Sequence, residues 1–83
     1  MPPLYRNIAR SLIDLIKDHE LNVGDKMPTE AQLMDQYKAS RNTIRESLRE
    51  LEMLGYTRRR RGTRSIVIEK KPDEKFVNSV QSV

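Results

Sequence analysis

The chain has 83 residues, 36% apolar and 34% charged, with no cysteine and a net charge of +4 at neutral pH. That length suits one small domain burying about 60% of its unfolded surface, with no room for a deep catalytic cleft and a second domain. The composition excludes a disulfide scaffold and a zinc finger, no apolar run approaches the roughly 18–20 residues of a membrane span, and "MPPLYRNIAR" lacks the apolar stretch of a signal peptide.

Leu4 to Asp18 read as an amphipathic helix. Tyr5, Ile8, Ala9, Leu12 and Ile16 share one face at helical spacing, with Ile13 and Leu15 at its edges. Arg6, Arg10, Asp14 and Lys17 lie opposite, and Pro2 and Pro3 mark the start. The pattern fades at "HELNVGDKMP", where Gly24, Asp25 and Pro28 break it. Leu21, Val23 and Met27 are expected to turn inward from that loop.

Thr29 and Gln32 form a T-x-x-Q capping box for a second, short helix over 30–37, with Leu33 and Tyr37 facing in. Ser40 is a natural N-cap for a third helix over 41–54, and Gly55 a natural residue to end it. Two capped helices joined by "KAS" match a helix-turn-helix; a plain αα-hairpin has the same outline. After Gly55, "YTRRRR" and "SIVIE" flank "GT" as the strands of a β-hairpin. "KKPDEK" then reads as a charged linker, and "FVNSVQSV" as the first turn of something further on. The fold class expected is mainly α with a small β-hairpin: three helices and a two-stranded wing over residues 1–69, with 70–83 a linker and the start of a missing C-terminal domain.

The charge is not spread evenly. Residues 41–64 hold eight arginines against Glu46, Glu50 and Glu52, while the flanking segments are close to neutral. One basic block in an otherwise balanced chain is the footprint of a nucleic-acid binder. On the third helix, Ile44, Leu48 and Leu51 form the buried stripe, bordered by Ser47 and Leu54. Asn42, Arg45, Arg49 and Glu46 lie opposite, with Arg41 on the border. Arginine pairs bidentately with guanine and asparagine with adenine in the major groove, which a recognition helix enters by its N-terminal residues. Ser40 and Thr43 offer hydroxyls to the phosphate backbone. The bland alternative is a solvated face, yet Arg41–Arg45 and Arg45–Arg49 are like-charged i,i+4 pairs that helix stability alone does not favour. Arg49 also has Glu46 and Glu52 as solvated partners in reach. In the wing, Arg59 and Arg60 suit the phosphate backbone, and Arg61 and Arg64 around Gly62 suit a phosphate strand or a narrow minor groove. A simple basic tag is the alternative for this run.

Residues 26–67, "KMPTEAQLMDQYKASRNTIRESLRELEMLGYTRRRRGTRSIV", closely resemble the winged-helix DNA-binding domain of the GntR family of bacterial transcription regulators. The opening "PLYRNIARSLIDLIK" resembles the family's first helix, particularly in its HutC-like branch. The resemblance implies a dimeric regulator, read as a repressor, that binds palindromic operator DNA in the cytoplasm and carries a small-molecule effector domain C-terminally. It places DNA contacts on Ser40, Arg41, Asn42, Thr43 and Arg45, and on Arg61 and Gly62 in the wing. With the residue-level reading, the expected DNA-facing set also includes Thr29, Arg49, Arg59, Arg60, Thr63 and Arg64. Three positions depart from the family pattern: Ala31 stands where many members have a DNA-reaching arginine, Lys38 where the turn often has glycine, and Arg64 where the wing has its second glycine.

A winged helix contacting RNA or protein without reading bases is the second reading. An enzyme is the third. Against it, His19 is the single histidine, at a helix end, and Asp14, Asp18, Asp25, Asp35 and Glu30 read as dispersed, solvated carboxylates without paired geometry. Tyr5, Tyr37 and Tyr56 read as core or core-edge residues. No cofactor or metal is expected.

Overall fold

The computed structural model describes residues 3–60 and 64–69. The first helix, α1, spans Leu4–Lys17 behind Pro3, whose fixed φ of −59° suits a helix start. The carbonyl of Pro3 accepts from the amides of Arg6 and Asn7. The helix stops before any glycine. His19 takes a left-handed φ of 63°, at a cost on the order of 1 kcal/mol, and the amides of Glu20 and Leu21 both turn back to the Leu15 carbonyl.

Helix α2 spans Glu30–Tyr37, and its capping box forms as its residues imply. The Gln32 amide donates to Thr29 Oγ1 at 3.0 Å, and the Thr29 amide to Gln32 Oε1 at 2.8 Å. It ends at Lys38, left-handed with φ 52°. Helix α3 spans Arg41–Met53, capped by the Ser40 hydroxyl, which accepts from the Thr43 amide. Gly55 follows the cap residue Leu54 at φ 89°, a region glycine enters without a Cβ penalty. Its amide bonds to Glu52 O and that of Tyr56 to Leu51 O. Those two bonds satisfy the last carbonyls in a Schellman motif.

The wing is shorter than the strand pattern suggests. Strand β1 is Thr57–Arg58 and β2 is Ile66–Val67, antiparallel, with Thr57 opposite Val67 and Arg58 opposite Ile66. A third segment that the sequence reads as loop pairs with it. Lys26 bridges to Ile66, Met27 N donates to Ser65 O, Val67 N to Asp25 O and Gly24 N to Val67 O. The wing root is therefore joined to the stretch that leads into α2.

Ile8 and Leu12 of α1, Leu33 of α2, Ile44 and Leu51 of α3, Met27, Tyr56 and Val67 make one core. Ile13, Leu15, Ile16, Leu21, Tyr37 and Leu48 are partly buried against it. Two expectations fail. Val23 is 63% exposed, because its turn faces outward while its neighbours pair with β2, and Leu54 is 44% exposed at the helix end. Ser47, on the same margin of the stripe, is fully buried. It is small, and its hydroxyl lies 3.0 Å from the Tyr5 carbonyl and 2.9 Å from that of Thr43. That hydroxyl fastens α1 to α3, as the Ser11–Tyr37 hydroxyl pair at 3.0 Å fastens α1 to α2. Thr57 Oγ1 is buried without a hydrogen-bond partner among the described residues. No helix among the described residues is long and apolar enough to cross a membrane.

Candidate nucleic-acid interface

The core on one side of α3 dictates what its other side offers. Ile44, Ser47 and Leu51 are buried, so Arg41, Asn42, Arg45, Glu46 and Arg49 are left exposed. Arg41, Arg45 and Arg49 line an open concavity. The wing also lines it, with Arg59 and Arg64, as does the start of α2, with Pro28, Thr29, Glu30 and Ala31. Five arginines from two elements thus converge on one concave face.

The remaining expected residues are placed differently. Asn42 and Thr43 line a second, shallower hollow with Pro3, Leu4, Tyr5 and Glu46, beside the start of α1. Asn42 is exposed there but does not share the arginine concavity. Ser40 and Thr43 are engaged with each other, Oγ to Oγ1 at 3.0 Å, while Ser40 caps α3. Thr29 spends its hydroxyl on the cap of α2. Arg60 is exposed. Arg61, Gly62 and Thr63, the expected wing tip, lie outside the described residues.

Glu30 departs from the reading of the carboxylates as solvated charges. It is the first residue of α2, and its side chain is 29% exposed. Its Oε2 accepts from Arg45 Nε at 3.2 Å, and its Oε1 lies 3.6 Å from Arg41 Nη1. The like-charged pair Arg41–Arg45 is therefore bridged by an anion from another helix. Arg41 and Arg45 remain 55% and 59% exposed. Half-solvated pairs of this kind contribute up to about 1 kcal/mol each, so they orient the arginines without locking them. Arg49 joins no ion pair among the described residues, so neither Glu46 nor Glu52 neutralises it. Helical periodicity reports one helix at a time and carries no signal for the Glu30 bridge.

In electrostatic terms the face is suited to a polyanion with readable edges. Guanidinium forks stand along a helix whose N-terminus carries the positive end of its dipole. The described residues hold no cluster of three or more His, Cys, Asp or Glu side chains able to hold a metal.

Three helices, a short turn between the second and third, and a paired ribbon behind the third define a winged helix-turn-helix domain. The model for the gntR family of bacterial regulatory proteins matches residues 4–67, and the chain belongs to that family. It is 42% identical over 60 residues to the uncharacterized HTH-type transcriptional regulator YcbG of Bacillus subtilis, covering 71% of this chain and 26% of that protein. It is 31% identical over 72 residues to the arabinose metabolism transcriptional repressor of Geobacillus stearothermophilus, covering 87% of this chain and 20% of the repressor. Among solved structures, the DNA-binding domain of AraR in complex with an operator superposes with a TM-score of 0.76 at 30% identity, over 81% of either chain. YydK of Bacillus subtilis superposes with a TM-score of 0.73 at 36% identity, over 83% of this chain and 30% of that one. The chain thus spans 20–26% of the length of these two curated relatives.

Proposed function

We propose that this chain is the sequence-specific, double-stranded-DNA-binding domain of a bacterial transcription regulator that acts as a repressor. The observation that carries the reading is the single concavity shared by Arg41, Arg45 and Arg49 of α3 and Arg59 and Arg64 of the wing. In this reading α3 enters the major groove. Arg41 and Arg45 read base edges, Asn42 reads a base at the flank, and Ser40 and Thr43 approach phosphates at the helix start. Arg49, Arg59, Arg60, Arg61, Gly62, Thr63 and Arg64 follow the backbone or the adjoining minor groove, and Thr29 meets a phosphate from α2. The solved operator complex of the AraR domain supports the class of ligand.

The reading extends to the whole regulator: a cytoplasmic homodimer of the HutC-like branch on a palindromic operator. Residues 1–69 form the DNA-binding domain, and 70–83 lead to a C-terminal domain that binds a small-molecule effector. The likeness of residues 3–17 supports the branch.

Selection of bound sites from random duplex DNA tests the core of this. A palindromic consensus, bound more tightly than its scrambled counterpart, is the expected result. With six to ten phosphate contacts per dimer, log affinity should fall with log salt at about −0.9 per contact. A flat salt response rules the reading out, and equal affinity for consensus and scrambled duplexes replaces base reading by contact with RNA or protein.

A further inference from the structure

The Glu30 carboxylate that lines the basic concavity needs a physical reason. Every phosphate that approaches α3 is repelled by Glu30, yet Glu30 sits between the two arginines best placed to read bases. Its geometry is divided: one oxygen takes Arg45 Nε at 3.2 Å, the other faces Arg41 Nη1 at 3.6 Å. Of the five N–H donors of an arginine, Arg45 spends one on Glu30 and keeps its terminal fork, on a side chain 59% exposed. Arg41 is held from its end rather than its Nε.

We infer that Glu30 is a specificity-determining residue: it holds Arg41 and Arg45 for base edges and withholds them from phosphates. The inference rests on the DNA-reading function proposed above. A free guanidinium attracts any phosphate at long range, which is the basis of non-specific binding. A guanidinium beside a carboxylate acts more as a dipole. Glu30 offsets one of the two positive charges that Arg41 and Arg45 present to a distant phosphate, while each fork still fits the paired acceptors of guanine at contact distance. The loss falls on sequence-independent binding and spares direct readout. The bridge also keeps two like-charged side chains from turning away from each other and outward to the backbone.

The test compares the full chain with Glu30→Gln on two duplexes, the selected consensus and its scramble, across a salt series. Glu30→Gln should tighten binding to the scrambled duplex several-fold and weaken or leave unchanged binding to the consensus. The affinity ratio should fall roughly tenfold, the lower part of what one bidentate arginine–guanine pair discriminates. For the scrambled duplex the salt slope should steepen by about 0.9 for each arginine released. Glu52→Gln is the control, since Glu52 lines the same concavity and joins no ion pair among the described residues. It should tighten both duplexes alike. In the Arg41→Ala/Arg45→Ala background, Glu30→Gln should no longer change the ratio.

Glu30→Gln behaving as Glu52→Gln does, with the ratio intact, overturns the inference. So does a loss of affinity for both duplexes in step with a fall in thermal stability, which marks a structural role at the start of α2. A wild-type chain that does not prefer the consensus refutes base reading itself, and is told apart because it appears before any substitution is made.

Discussion

Replacing Thr57 with valine should stabilise the domain. Thr57 opens β1 and is only 2% exposed, and its Oγ1 has no hydrogen-bond partner among the described residues. Burying a hydroxyl unpaired costs about 1–3 kcal/mol by mutational measures. Valine has nearly the same shape, suits a strand at least as well, and replaces the hydroxyl by a methyl that gains from burial. The expected gain is about 1–2 kcal/mol, since the folded chain keeps its backbone pairing with Val67 and relaxes little. In a domain of this size each 1 kcal/mol raises the melting temperature by about 4–8 °C. Urea denaturation at fixed temperature gives the free energy, and a thermal scan gives the shift. Because Thr57 is inside, affinity for the consensus duplex should not change. A valine variant no more stable than the parent, with an unchanged denaturant slope, refutes the reasoning: the hydroxyl must then have a partner, such as an enclosed water.

Lys38→Gly should raise stability by roughly 1 kcal/mol in the same urea assay, because φ at that position is 52° and glycine removes the Cβ penalty. The lost Lys38–Asp35 pair is too exposed to offset this, and a destabilised variant contradicts the account of the turn. Arg41→Ala and Arg45→Ala should each weaken consensus binding by about 1–3 kcal/mol and broaden base preference in a repeated selection, whereas Arg59→Ala or Arg60→Ala should weaken consensus and scramble alike and lower the salt slope by about 1. Identical behaviour of the helix and wing variants argues against a division of labour between reading and clamping.

Much of the fold is legible because its signals are local. Thr29 with Gln32, Ser40, and Gly55 each solve the problem of unsatisfied groups at a helix end, and each does so within a few residues of chain. The outward arginines of α3 are legible for the same reason, since Ile44 and Leu51 declare the inward face and geometry assigns the rest. What escapes is pairing at a distance. The 25–27 segment has no alternating pattern of its own and becomes a strand partner only because β2 lies beside it. Glu30 looks like any first-turn acid until α3 is laid across it. Ser47 reads as a weak border residue, and only the approach of the Tyr5 carbonyl explains why a hydroxyl belongs there. Asn42 stands on the outward arc as expected, yet the start of α1 gives it a different neighbourhood from Arg41 and Arg45.

The three backbone hydrogen bonds that join residues 24–27 to 65–67 brace the root of the wing against the segment that leads into α2. Moving the root of the ribbon away from that segment breaks those bonds. On the DNA-binding reading proposed above, this brace favours one position of the wing root before any duplex arrives. A duplex of another groove width must itself bend or narrow to enter, and the elastic cost of doing so varies with its sequence. On that reading, part of the choice among sites should be made by stiffness, at base pairs that no side chain touches.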